Sequence, residues 1–110
     1  MNHQRLKCYN MAMSMTKALP TMIEKWPRGY SYLIDQLKRA LASIVLNIAE
    51  GNGRTSRLER KRFFTISMAS SSEVSSILEI ACAYRLIDQA THLRLQDTLL
   101  QIYKMLYKLN

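Results

Sequence analysis

The chain has 110 residues, 48% of them hydrophobic and 22% charged, which fits one globular domain with a small core that gains stability by association. Three Gly and two Pro in the whole chain argue against a turn-rich all-β fold and for long helices. Sixteen Lys and Arg against eight Asp and Glu give a net charge of +8, so the natural partners are polyanions: RNA, DNA or an anionic membrane surface.

The first periodic segment runs from about Arg5 to about Lys25, with Cys8, Met11, Met15, Leu19 and Met22 at steps of three and four. Pro20 falls inside it and is expected to kink or fray its last turn. Trp26-Pro27-Arg28-Gly29 forms the first connection.

A second helix is predicted from Tyr30 to Glu50, its main stripe Leu33, Leu37, Leu41, Ile44 and Ile48. Between Ala40 and Ala49 only Ser43 and Asn47 are polar. A helix apolar on several faces needs covering on several faces, more than one bundle supplies, so Leu41, Val45, Leu46 and Ile48 are read as a subunit interface. Gln36, Arg39, Ser43, Asn47 and Glu50 share one line at helical spacing, either a solvated seam or a buried polar contact between helices. Gly51-Asn52-Gly53 stops the helix, with glycine expected in a left-handed C-cap.

Ser56 and Glu59 form a capping-box pattern that opens the third helix. Its predicted stripe is Phe63, Ile66, Ser70, Val74, Ile77, Ala81 and Tyr84. The small residues Ala69 to Ser72 permit either close approach of another helix or contact with water. Asp88 is the predicted N-cap of a fourth helix, with Leu95, Leu99, Ile102, Leu106 and Leu109 on one face. Short connections between long helices favour antiparallel neighbours, hence an all-α up-down-up-down four-helix bundle that spans 1–110 as a single domain.

That topology gathers charge. The N-terminus, the second connection and the C-terminus share one end, which brings Arg5, Lys7, Arg54, Arg57, Arg60, Lys61, Arg62, Lys104 and Lys108 together against Glu50 and Glu59 alone, a net +7. At the opposite end Lys25, Arg28, Arg85 and Arg94 balance Glu24, Asp35, Glu79 and Asp88. The bland account is a solvated helix start. Against it, cations are slightly unfavourable at a helix N-terminus, so folding does not explain their placement. Phosphate backbones suit such a surface, and the amides of the helix start add to an anion site.

No catalytic constellation is visible. His3 and His92 are far apart and read as surface residues, Glu73 and Glu79 are six apart, and no ExxH pair, phosphate loop or nucleophile elbow occurs. Cys8 and Cys82 form no CxxC pair and read as buried thiols in a reducing compartment. Neither an enzyme nor a cofactor or metal is expected. The N-terminus lacks the pattern of a signal peptide, and no run approaches the ~20 apolar residues of a membrane span, so a cytoplasmic protein is expected. Asn47 and Glu50, with Arg54 or Arg62 reaching back to Glu50, are expected to tie the second connection together alongside Gly51 and Gly53. Tyr84, Tyr103 and Tyr107 are read as packed on helical stripes.

The stretch Ser43-Ile-Val-Leu-Asn-Ile-Ala-Glu-Gly-Asn-Gly-Arg54, followed by Ser56, Glu59, Arg62-Phe63, Ile66, Ser70 and Glu73, resembles a bacterial four-helix bundle family. That family includes proteins encoded in 23S ribosomal RNA intervening sequences and the accessory variability determinant (Avd) proteins of diversity-generating retroelements. The resemblance implies a barrel-like homopentamer with a basic surface. For the Avd branch it also implies nucleic-acid binding and association with a reverse transcriptase. Val45 stands where the family usually has Pro, Arg60 and Lys61 where it has an aromatic and an aliphatic residue, and Ala69 where it has Gly. The charge added at Arg60 and Lys61 favours a nucleic-acid role.

The combined expectation is a non-enzymatic, homo-oligomeric bundle that holds RNA or DNA with little sequence discrimination. Arg54, Arg57, Arg60, Lys61 and Arg62 would lead, with Arg5, Lys7, Lys104 and Lys108 auxiliary. The alternative is a protein-interaction adaptor of the intervening-sequence type, whose basic end docks an acidic partner without touching nucleic acid itself.

Overall fold

The structure, a computed structural model, describes residues 2–109. It consists of four helices: α1 (His3–Ile23), α2 (Ser31–Asn52), α3 (Arg57–Ala83) and α4 (Gln89–Leu109). Each helix packs against its neighbour in sequence, and α1 closes onto α4; the α2–α3 interface is the most extensive and α1–α4 the slightest. The bundle measures 45 × 23 × 19 Å.

Three helix ends are fixed by side-chain oxygens that satisfy otherwise orphaned N–H groups. Asn2 accepts from the Gln4 amide at 2.7 Å, Ser56 from Glu59 at 3.3 Å and Asp88 from Thr91 at 2.7 Å. The chain leaves α3 through Arg85 at φ 60°, where the Arg85 and Leu86 amides donate to the Cys82 and Ala81 carbonyls at 3.0 and 2.8 Å. This is a Schellman closure with arginine where glycine is usual. Pro20 does not end α1, which continues one turn to Ile23.

The predicted stripes of α2 and α4 form the core: Leu33, Leu37, Leu41, Ile44 and Ile48, with Leu95, Leu99, Ile102 and Leu106, are buried. Leu109 is half-buried. In α1, Ala12 joins Cys8, Met15 and Leu19 inside, while Met11 and Met22 are half-buried.

Helix α3 departs from expectation. Phe64 and Ser67, not Phe63 and Ile66, enter the core in its first half, and Tyr84 lies 52% exposed. The reason is the close fit of α3 against α2. Ser67 donates to the Ile44 carbonyl, the Ser43 and Ser70 hydroxyls meet at 2.7 Å, and a Cβ on Gly51 would stand 2.6 Å from the Phe64 ring. Small buried residues let two helix backbones approach, and their hydroxyls find partners across the seam.

Two further expectations are corrected. Gly51 and Asn52 lie within α2, and Gly53 caps it at φ −83°, so no left-handed glycine ends this helix. Among the described glycines the left-handed one is Gly29, at φ 101° between α1 and α2. Gly51 is required for space instead. Of the four residues assigned to a subunit interface, Leu41, Val45 and Ile48 are 3%, 7% and 0% exposed and already covered by their own bundle. Only Leu46, 62% exposed, is available to a partner.

Candidate nucleic-acid interface

Cross-helix contacts set the levels of the helices against one another. Cys8 Sγ donates to the Ile102 carbonyl at 4.0 Å, which sets Arg5 near the level of Met105. Ser75 donates to Gln96 Oε1 at 2.6 Å, and Gln96 Nε2 returns a bond to the Ser75 carbonyl at 2.9 Å. Counting outward from that pair in antiparallel helices, Lys104 stands level with Ser67 and Leu109 level with Arg62. Ser43–Ser70 and Gly51–Phe64 likewise align the end of α2 with the start of α3. The nine cations therefore gather at one pole, within about 17 Å of helix axis between the levels of Lys7 and Arg57.

Their roles within the pole differ. Arg54 Nη2 pairs with Glu50 Oε2 at 2.9 Å, and its guanidinium lies 4.9 Å from the centre of the Phe63 ring. Arg60 Nη1 donates to the Arg54 carbonyl at 3.5 Å. Arg54 thus fastens the end of α2 to the start of α3, with Arg60 bracing the same turn. The exposed ion pair contributes about 0.2–1 kcal/mol and the ring contact a similar amount.

Arg54, not Arg62, is the residue that reaches Glu50. Asn47 takes no part in the connection: its Nδ2 donates to the Ser43 carbonyl at 2.8 Å and to Ser43 Oγ at 3.2 Å. The polar line on α2 is therefore a half-buried contact with α3 at Ser43, to which Asn47 is tied within α2, and a solvated seam at Gln36, Arg39 and Glu50.

Lys7, Arg57, Lys61, Arg62, Lys104 and Lys108 are exposed and carry no side-chain hydrogen bond or ion pair to other described residues. Arg5 is half-buried and equally unpaired. Six long cationic side chains thus extend from the ends of three helices into solvent, free to take anions. Five sit on α3 and α4, and Lys7 sits on α1.

The opposite pole is electrically balanced and partly self-engaged. Hydrogen bonds from the Thr91 side chain and amide hold the Asp88 carboxyl below its ordinary range, and Arg94 assists.

Three tyrosines expected to be packed are exposed: Tyr84 at 52%, Tyr103 at 38% and Tyr107 at 70%. For the α4 pair the signal was present in the sequence. Tyr103 and Tyr107 lie off the Leu95–Leu99–Ile102–Leu106 stripe, on its flank beside Leu100, itself 50% exposed. Cys8 is buried as expected, and burial pushes its thiol up to about 11, while Cys82 is half-exposed and donates to Gln89 Oε1 at 3.5 Å. His3 is exposed and His92 half-buried. Among the described residues no three His, Cys, Asp or Glu side chains stand close enough to hold a metal, and no helix is long and apolar enough to cross a membrane.

None of the curated proteins matches this sequence. The fold is shared with a solved protein of unknown function from the S23 ribosomal protein family of Bacteroides thetaiotaomicron VPI-5482, which is 16% identical, covers 96% of each chain and superposes with a TM-score of 0.85. A profile of the 23S rRNA-intervening sequence proteins matches residues 4–108. With nearly its whole length so matched, and the four-helix architecture in agreement, the chain belongs to the 23S rRNA-intervening sequence protein family.

Proposed function

We propose that this protein is a non-enzymatic, homo-oligomeric bundle that holds RNA or DNA by phosphate contacts at the α2–α3 pole, with little sequence discrimination. The observation that carries this reading is the group of exposed, unpaired cations at a pole whose acids are Glu50, already committed to Arg54, and Glu59. Positive side chains at the start of α3 oppose the helix dipole, so their presence is not a device for folding. They form a surface on which a polyanion releases its counterions. Resemblance to the Avd branch supports a reverse transcriptase as the partner beside which that nucleic acid is held.

Association of copies is supported by apolar surface outside the bundle. Leu46 and Ile66 are 62% and 45% exposed, and each lies one turn from the Ser43–Ser70 hydrogen bond on the outer side of the α2–α3 seam. Copies joined there side by side would align their basic poles into one ring, and the family resemblance suggests five.

Leu58, 72% exposed amid the cations, favours a second reading in which the pole docks an acidic protein. A titration of labelled RNA at about 50 mM salt separates the two. Tight binding by the wild type, weakened at least tenfold by the triple change Arg57→Glu, Lys61→Glu and Arg62→Glu but not by Lys25→Glu with Arg28→Glu, supports the nucleic-acid reading. An absence of binding at low salt removes it and leaves the adaptor.

A further inference from the structure

We infer that the exposed face of α4 next to the basic pole stacks unpaired bases, so that the nucleic acid held there is single-stranded. This inference rests on the phosphate-binding reading and adds a substrate class to it. Tyr103 and Tyr107 project one helical turn apart, about 6 Å along the axis. They are 38% and 70% exposed, and the unpaired Lys104 stands one turn from Tyr107 on the same side of α4, with Lys108 on the adjoining face.

An aromatic ring that is 70% exposed gives up most of the burial that would stabilise it inside a core. Beside Lys104, it offers a flat apolar surface at the point where a phosphate chain is captured. Beyond Tyr103 the surface falls into a groove of about 280 Å³ between α3 and α4, where the exposed Ser72 lies beside Leu99 and Leu100 and Gln96 is held by Ser75. Such a groove supplies the Ser72 hydroxyl for base edges and apolar contact for their faces.

Base faces become available to side chains only when the strand is unpaired. In a duplex they are stacked on one another, and an A-form helix presents phosphates and a shallow groove instead. Alternating cations and aromatics are the arrangement by which proteins hold single strands without reading sequence, because every base has a π-face. The occupant is fixed by charge as well as by shape, since an apolar protein partner would have to cover Lys104 and Lys108 unpaired.

The test compares three labelled probes of equal length: a single-stranded oligonucleotide with bases, the same backbone with abasic sites throughout its centre, and a duplex. The wild type is expected to bind the base-bearing strand about tenfold more tightly than the abasic strand. Tyr107→Ala is expected to abolish that preference and Tyr107→Phe to keep it. The abasic and duplex affinities should be unchanged in both variants, and the assembly mass in solution should stay constant.

Equal affinity of the wild type for base-bearing and abasic strands would overturn stacking while leaving phosphate binding intact. A change of assembly mass in Tyr107→Ala would also overturn it, by assigning this face to a subunit contact. Failure of the wild type to bind any of the three would remove the phosphate reading itself, and stacking with it.

Discussion

Gly51 shows how one missing Cβ sets the geometry of the pole. It lies inside α2, where glycine costs about 1 kcal/mol relative to alanine, so alanine would be the better residue if propensity alone decided. The fully buried Phe64 ring stands 2.6 Å from where that Cβ would be, and Phe63 Cβ stands 3.3 Å away. Overpacking of about 1–3 kcal/mol therefore outweighs the helix gain. Gly51→Ala is expected to lower stability by about 1–2 kcal/mol in chemical denaturation, and a neutral result would mean that α3 is free to move away. Arg85 presents the opposite case. It holds φ 60°, a conformation in which a side chain is strained and glycine is not. Arg85→Gly should raise stability by about 0.5–1 kcal/mol once the extra freedom of glycine in the unfolded chain is counted. The two thiols should differ in reactivity. At pH 8 a thiol reagent is expected to modify Cys82 and to reach Cys8 at least ~100-fold more slowly. Burial lifts the Cys8 thiol from an ordinary 9.0 to about 11, so the folded state keeps its proton where the unfolded state loses it. Stability from this group is complete below pH 9 and declines as pH rises toward 11. Cys8→Ser should remove that decline.

At the scale of helices, α2, α4 and the N-caps of α3 and α4 could be read directly from the sequence, because apolar spacing and capping chemistry are local properties. The first half of α3 could not. Its buried face is built from Ser67, Ser70 and Ser71, which pattern reading treats as polar, while Ile66 remains 45% exposed. Only the partner helix decides that a serine goes inside: α2 offers the Ile44 carbonyl and the Ser43 hydroxyl to those groups. Ser67→Leu is expected to cost about 1–3 kcal/mol by forcing α2 and α3 apart. Ser67→Ala should cost about 1 kcal/mol or less, since the Ile44 carbonyl lies within α2. The same local blindness misassigned the subunit interface. A continuous apolar run on α2 suggested exposure on several faces, yet most of that run packs into the bundle core, chiefly against α1 and α3, and of its large side chains Leu46 alone is left outside. Leu46→Glu with Ile66→Glu is expected to yield a smaller, still helical species in light scattering. An unchanged mass would place the contact on another face.

The molecule as a whole is a dipole of function: one end carries nearly all of the net charge and the other is balanced. The clustering of cations was legible once antiparallel topology was inferred, since chain reversal alone brings the two termini and the second connection together. What the sequence did not reveal is the division of labour inside the cluster. Arg54 and Arg60 secure the turn through Glu50, Phe63 and a backbone carbonyl, whereas Arg57, Lys61 and Arg62 remain unpaired. Changing Arg54 should therefore disturb the fold as well as binding, and the unpaired three are the cleaner probes of function. The most direct measurement is the salt dependence of RNA affinity for the wild type and for Arg57→Gln, Lys61→Gln, Arg62→Gln. A log-log slope of about −0.7 to −0.9 per phosphate is expected, with the triple variant shallower by about two to three. Identical slopes for the two proteins would contradict the assignment of phosphate contacts to this pole.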